Sequence, residues 1–281
     1  MTLLSALQSD QRVVAAELRP PRAELASSEG MDAWIDTYHA VRRLTRQGHY
    51  VFLTDSAVGT REEDNLRHLV TNLGHDVPRE RIVPFMTAKH TLAHCLSYAE
   101  RAHQEGFPSL VVLGGDKAVG VPRCVEHAWQ LRQLVHAHVP TLTLGGWANP
   151  HADAAQQAAF IAAEDFNADY FLTQVVSHHD IGAVERLLVE AQRRQITQPG
   201  VFGVFYYRSA NPQTLATLRN FLPVPVSGLT EDFDSGLTPE QVCGRTLKAL
   251  AAVGVRHVYI SNLPVARAQV VLDRILNDAG Y

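Results

Sequence analysis

Short apolar runs recur along the chain, separated by longer stretches in which apolar residues return every three or four positions. The runs are Val13–Leu18, Tyr50–Thr54, Ile82–Thr87, Ser109–Gly114, Thr141–Gly145, Tyr170–Gln174, Val201–Phe205 and His257–Asn262. Strands buried on both faces of a parallel sheet read as near-continuous apolar runs of this kind. Helical patterns fill the intervals: Met31–Gln47, Glu62–Leu73, Leu92–Glu105, Cys124–His136, Ala152–Asp165, Ile181–Arg194, Gln213–Phe221 and Pro239–Val253, with Val265–Asn277 after the eighth run. Regular alternation predicts parallel β/α units. Eight strands favour closure into a (β/α)8 TIM barrel, a single domain over residues 1–281, with a doubly wound open sheet as the alternative. The stretch Val224–Leu237 has room for one more short strand. No linker, low-complexity segment or further repeat divides the chain.

Composition changes this picture little. A chain of 281 residues with 46% hydrophobic and 19% charged residues can bury a large core. Its net charge of -4 gives no reason to expect nucleic acid as a partner. Cys95, Cys124 and Cys243 are widely spaced and form no C-x-x-C pair, which suits a reducing cytosol. No apolar stretch approaches the roughly 20 residues of a membrane span, and the first twelve residues do not read as a signal peptide. A cytoplasmic protein follows as the expectation; homo-oligomerisation is left open.

Chemistry in such barrels sits at the C-terminal ends of the strands. The polar residues there are Glu17, Thr54-Asp55, Thr87, Gly114-Gly115-Asp116, Thr173-Gln174 and Ser261-Asn262; Gly145-Gly146-Trp147 and His151 follow strand five, and Tyr206, Tyr207 and Gln213 follow strand seven. Glu17, Asp116 and Gln174 are expected to face one mouth. A partly desolvated Glu holds a proton at neutral pH and can donate it. An Asp with a Gln can grip a ring that presents several N–H and C=O groups, as pterins do. The plain alternative is that each residue caps a strand or the helix after it.

The same residues resemble the methylenetetrahydrofolate reductase family. The opening E-F-F-P-P-R-like motif is matched by Glu17-Leu18-Arg19-Pro20-Pro21-Arg22, the fourth strand's R-G-D by Gly114-Gly115-Asp116, and the sixth strand's I-T-Q by Leu172-Thr173-Gln174. Pro199-Gly200, Ser209-Ala210-Asn211-Pro212-Gln213 and Gly254-Val255-Arg256 match further motifs in order, so the resemblance runs from about Val13 to Leu276. It implies reduction of 5,10-methylenetetrahydrofolate to the 5-methyl form used in methionine biosynthesis, with NADH or NADPH as reductant. It implies Glu17 as proton donor, and Asp116 as a pterin contact that also tunes the electron-accepting centre. Gln174 and Gln213 become substrate contacts. Thr54 and Gln174 lie near the nicotinamide, and Gly115, Trp147 and His151 stand on the cofactor side.

The departures from the family concern the flavin. The Arg before Gly-Asp is Gly114, the third-strand histidine is Phe85, and the tyrosine after strand five is Trp147. The helix before strand six, where the family uses an Asp, an Asn and an Arg-Lys pair to hold FAD, has Gln156, Ala159, Ala162 and Ala163 in those places. Each lost charged hydrogen bond is worth roughly 1.5–3 kcal/mol, so two losses weaken binding by a factor of about hundreds. Backbone N–H groups, Lys117 or Arg61 are the available compensation. The sequence therefore predicts weak flavin binding or none, and in the second case direct hydride transfer from the nicotinamide.

Other signals read more plainly. His90 and His94 have helical ligand spacing but lack the rest of an H-E-x-x-H set. His178-His179-Asp180 reads as a helix start with Asp180 near the N-cap. Gly114-Gly115-Asp116-Lys117-Ala118-Val119-Gly120 matches neither phosphate-loop spacing. Trp147, Phe202, Tyr206 and Tyr207 serve equally as stacking faces or as packing. The run Arg61-Glu62-Glu63-Asp64 is a solvated helix start. Two competing functions remain: a non-redox folate-binding or one-carbon transfer barrel, and a Schiff-base lyase. The latter is disfavoured because no strand ends in Lys.

Overall fold

The computed structural model describes residues 1–21, 27–55, 73 and 77–281. Arg22, the run Arg61–Asp64 and residues 62–72 of the helix expected over Glu62–Leu73 lie outside the described residues. Eight strands form one closed, all-parallel barrel in sequence order. They are β1 (Val14–Leu18), β2 (Tyr50–Leu53), β3 (Ile82–Thr87), β4 (Ser109–Leu113), β5 (Thr143–Ala148), β6 (Tyr170–Val176), β7 (Gly200–Phe205) and β8 (Val258–Ser261). Closure is made by β1 against β8, with Val14, Ala15 and Ala16 opposite Val258, Tyr259 and Ile260. That pairing excludes the open sheet. No described helix is long and apolar enough to cross a membrane.

The helices in chain order are α1 (Leu3–Leu7), α2 (Ser27–Arg46), α3 (Leu92–Gln104), α4 (Ala128–His138), α5 (Ala154–Ala162), α6 (Ile181–Arg193), α7 (Pro212–Leu218), α8 (Val226–Asp234), α9 (Pro239–Ala252) and α10 (Ala268–Ala279). Several begin on side-chain caps: Thr91 for α3, Asp153 for α5, Asn211 for α7 and Thr238 for α9 each accept from a backbone N–H of the first turn. These oxygens satisfy donors that the helix itself leaves unpaired.

Strand alternation divides the apolar residues into two layers. Val13, Ala15, Tyr50, Phe52, Val83, Phe85, Val111, Tyr170, Leu172, Val201 and Tyr259 pack together inside the barrel, with Leu3, Ala6 and Leu7 of α1 among them. Their neighbours in sequence, such as Val14, Ala16, Val51, Leu53, Val112 and Ile260, join the larger core beneath the helices. Helix α1 was not expected, because five residues are too few for a periodic signal. Tyr50 anchors it, its hydroxyl donating to the carbonyls of Met1 and Thr2 at 3.0 and 3.2 Å.

Four sequence expectations are corrected. Strand five runs over Thr143–Ala148 instead of Thr141–Gly145, so Trp147 lies in the strand and not after it. Gly145 and Gly146 are strand positions with no room for a side chain. A Cβ on Gly145 would stand 2.7 Å from the Tyr170 ring, and one on Gly146 would stand 2.5 Å from Phe166. Strand six continues two residues past Gln174, to Val176. The stretch Val224–Leu237 holds helix α8 and no strand. The fourth helix also starts later than Cys124, at Ala128, behind a capping box of His127 and Gln130.

The large interior rings require small partners. A Cβ on Gly203 would lie 2.5 Å from Cζ and Oη of Tyr259, whose hydroxyl donates to the Thr173 carbonyl at 2.6 Å. The ring is fully buried and has no free direction in which to move. Gly203→Ala is therefore expected to lower stability by about 1–3 kcal/mol, the usual range for overpacking. Urea unfolding should show an earlier midpoint at unchanged slope; an unmoved midpoint would show that the interior yields.

Candidate functional site

Inward alternation on β1 carries Glu17, two residues beyond Ala15, to the C-terminal mouth. Thr54 follows the end of β2, and Gln174 lies near the C-terminal end of β6. Trp147 and Leu113 pack, partly buried, on the upper edge of the interior cluster. The strands thus bring Glu17, Thr54, Trp147 and Gln174 to one end of the barrel.

Glu17 has the most distinctive environment. Its Oε1 accepts a hydrogen bond from Ser261 Oγ at 2.7 Å. Ser261 reaches it because β8 is the strand that closes onto β1. The residue keeps a partial opening to solvent, yet burial raises the carboxyl's pKa above the ordinary glutamate value, an effect the Ser261 hydrogen bond only partly offsets. One hydroxyl replaces little of the hydration that a carboxylate loses, so the neutral acid is favoured. The strand-end pair Ser261-Asn262 was visible in the sequence, but its partnership with Glu17 depends on barrel closure.

Gln174 sits at an irregularity where the β6–β7 register shifts between Leu172 and Val175. Its side-chain oxygen accepts from Val175 N at 2.9 Å, so the amide's N–H groups are what it offers outward. Thr54 donates its backbone N–H to Leu18 at 3.1 Å, holding β2 beside β1 at the mouth. Asp55 accepts from Thr87 N and Oγ1 at 2.7 and 3.0 Å and from His90 Nε2 at 2.8 Å. It thereby ties the end of β2 to β3. The His90 and His94 rings lie tilted against each other with centroids 4.7 Å apart, beside a cavity of about 660 Å³ that Lys89, Thr91, Val121, Pro122 and Cys124 also line.

The other expected site residues have more structural surroundings. Asp116 lies in the loop after β4, where Oδ1 accepts from Ala118 N at 2.7 Å and Val119 N at 3.0 Å. Those bonds hold its pKa below the usual aspartate value. No hydrogen bond or ion pair among the described residues joins Asp116 to Glu17 or Gln174. His151 Nε2 donates to the Val175 carbonyl at 2.9 Å, fastening the β5–α5 loop to the end of β6. Gln213 is exposed in the first turn of α7. Gly115 has a left-handed backbone, φ 72°, and its carbonyl accepts from Arg123. Lys89, two residues past β3, is buried with Nζ 2.7 Å from the carbonyls of both Val119 and Val121, unlike an amine presented to a substrate.

Among the described residues, the places compared with the family's flavin contacts offer a diphosphate little. Helix α5, Ala154–Ala162, carries no cation: Gln156 and Ala162 are exposed, and Ala159 and the following Ala163 are partly buried. Above Gly114, the Arg123 guanidinium occupies the space of a side chain, with Cζ 2.8 Å from where a Cβ would stand. That charge is already engaged with the Gly115 carbonyl.

Comparison with solved structures agrees on the fold. A protein from Clostridium thermocellum, described as uncharacterized and as binding two copies of 5-methyl-5,6,7,8-tetrahydrofolic acid, superimposes with a TM-score of 0.70 at 16% identity, covering 99% of this chain and 97% of its own. A structure from Aquifex aeolicus VF5 superimposes with a TM-score of 0.54 at 12% identity, covering 100% of this chain and 95% of its own. No protein-family model matches the sequence, and no curated protein does. At these identities the likeness is one of fold.

The Glu17 environment has a measurable consequence. A carboxyl whose folded pKa exceeds its unfolded one stabilises the fold fully below the unfolded value, about 4.3, and this contribution is lost as pH rises through the folded value. Glu17→Gln cannot ionise and escapes the loss. The variant's stability relative to the parent should therefore grow as pH rises above about 4.3 and level off above the folded pKa. Urea midpoints over a pH series would reveal this; a pH-independent difference would mean that Glu17 titrates normally.

Proposed function

We propose that this barrel binds a reduced folate at its C-terminal mouth and reduces 5,10-methylenetetrahydrofolate to the 5-methyl form with NADH or NADPH. The observation that carries the reading is a protonatable carboxyl at the inner rim: Glu17, shifted toward its neutral form by burial and held by Ser261. The methylene bridge opens when one bridging nitrogen takes a proton as its C–N bond breaks, leaving an iminium. Glu17 is the group suited to give that proton. The carboxylate it becomes already receives the Ser261 hydroxyl, and solvent at the open edge restores the proton. The fold shared with a barrel described as binding 5-methyltetrahydrofolate supports the choice of ligand class.

The iminium carbon then needs hydride. The residues of α5 and the β4 loop do not suit a flavin diphosphate, so the reading favours transfer straight from the dihydronicotinamide. Trp147 offers a flat face at the mouth on which a pterin or nicotinamide can stack. Gln174, through its amide N–H groups, and Thr54 are assigned to the space between substrate and nicotinamide. Asp116 and Gln213 are assigned as folate contacts from the loops above. Gly115 and His151 are supports of the cofactor side, and their hydrogen bonds to Arg123 and Val175 match a supporting role.

Two measurements test this reading. Purified protein incubated with excess FAD and desalted should be colourless, and should oxidise NADH only when methylenetetrahydrofolate is present. A retained yellow chromophore would overturn the direct route, and tetrahydrofolate binding without NADH oxidation would favour a non-redox folate protein. Glu17→Gln should leave folate affinity intact and lower kcat by at least about tenfold, the low end for loss of a general acid. Unchanged turnover would remove Glu17 from the acid's role.

A further inference from the structure

A second polar cluster lies past the end of β6, away from the hydrogen bonds of Glu17. Among the described residues it is where three potential metal ligands come together: ligating atoms of His178, His179 and Asp232 all lie within 4.8 Å of one another. His178 Nε2 is 3.0 Å and His179 Nε2 2.9 Å from the same oxygen, Asp232 Oδ2. The two rings are adjacent, with centroids 3.9 Å apart. From sequence alone the two histidines read as a helix start with an incomplete ligand set. Asp232 comes from α8, more than fifty positions later.

The surroundings hold these groups in place. Ser177 caps the short turn His178–Asp180 by accepting from His179 N, while Asp180, expected near the cap, makes no side-chain capping bond. His178 Nδ1 lies 2.9 Å from Thr246 Oγ1 on α9. A hydroxyl can donate or accept, so it tolerates the tautomer that frees Nε2 for ligation, and an oxygen on the far ring nitrogen is the usual support for a metal-bound histidine. Gly228, one turn before Asp232, leaves the room in which the His179 ring lies: a Cβ there would stand 2.3 Å from His179 Nδ1. Arg245 Nη1 holds Asp232 Oδ1 at 2.9 Å, which leaves Oδ2 as the single oxygen aimed between the imidazoles.

We propose that His178, His179 and Asp232 form a binding site for one divalent transition-metal ion, of the zinc and cobalt class. Two imidazoles and a carboxylate suit such ions. With metal–ligand bonds of roughly 2.0–2.2 Å, tetrahedral ligands sit about 3.3 Å apart, so the two N···O spacings need open by only a few tenths of an ångström. His179 keeps 24% of its side chain exposed, and solvent completes the coordination from that side. The ion pins the β6 terminus to α8 and, through Thr246 and Arg245, to α9.

Chelator-stripped full-length protein titrated with Co2+ tests the site directly. The expected result is one equivalent bound with visible d–d absorption and no thiolate charge-transfer band, displaced by one equivalent of Zn2+. His179→Gln and Asp232→Asn should each weaken binding by at least about tenfold, the lower range for disturbing a metal site, with circular dichroism confirming folded variants. Cys124→Ser should change nothing; it probes the rival set of Cys124, His90 and His94 around the β3–β4 cavity. Failure of the wild type to bind an equivalent, a thiolate band, loss of binding in Cys124→Ser, or indifference to His179→Gln would each overturn the proposal.

Discussion

The seam between β1 and β8 joins the ends of a chain more than 240 residues apart and turns eight β/α units into a cylinder. Without it, Ser261 and Glu17 would lie on opposite edges of an open sheet. With it, a hydroxyl meets a carboxyl at 2.7 Å inside the mouth. Closure also forces every second side chain inward, and the interior must then be filled. Tyr170 and Tyr259 do much of the filling, and each takes the space that Gly145 and Gly203 leave on the neighbouring strand. Polar groups inside are satisfied locally: Tyr170 Oη meets Ser109 Oγ at 2.8 Å, and Tyr259 Oη meets the Thr173 carbonyl. A packed floor of this kind, plugged from below by α1, leaves the mouth as the end where polar side chains face outward from the interior.

The fold was legible because parallel barrel strands are buried on both faces and announce themselves as apolar runs. The errors fell where a residue's local preference differs from its tertiary use. Strand five was expected to end at Gly145, yet Gly145 and Gly146 are both interior strand residues that make room for the rings across from them. Val224–Leu237 has the Val and Phe content of a strand, yet it winds into α8, where Leu229 is fully buried beside Tyr207, Leu215 and Val242. At the candidate site, strand alternation carries Glu17 inward from an identifiable neighbour, while the hydrogen bonds of loop residues were not legible. Asp116 is spent in part on its own loop, and His151 on a strand terminus, which strand-end reasoning cannot foresee. The triplet at Asp232 was beyond reach because nothing in a sequence pairs positions 178 and 232.

Charge placement bears on the redox question. A flavin diphosphate needs donors with no prior commitment, and two of the cations near β4 have commitments. Arg123 serves the Gly115 carbonyl and Lys89 serves two carbonyls of the same loop. In this chain positive charge stabilises the β4 loop itself. A loop stiffened by its own cations has less to offer an anionic cofactor, and the small side chains of α5 offer none. The same economy suits a reaction between two flat, transiently bound rings, for which stacking and a proton source matter more than a diphosphate cradle.

Three carboxylates show how environment separates roles within one end of a barrel. Asp116 receives two backbone N–H groups and is driven toward its charged form, as a turn-former should be. Asp232 is surrounded by two imidazoles and a guanidinium, each within 3.0 Å of one of its oxygens. Glu17 receives one neutral hydroxyl in a desolvated rim and is driven the other way. Nothing in the residue types distinguishes an acid from an anchor; the count and charge of the donors do. Of the three, the carboxyl with the fewest donors is the one shifted toward its neutral form, and it is the one that strand alternation and barrel closure set at the inner edge of the mouth.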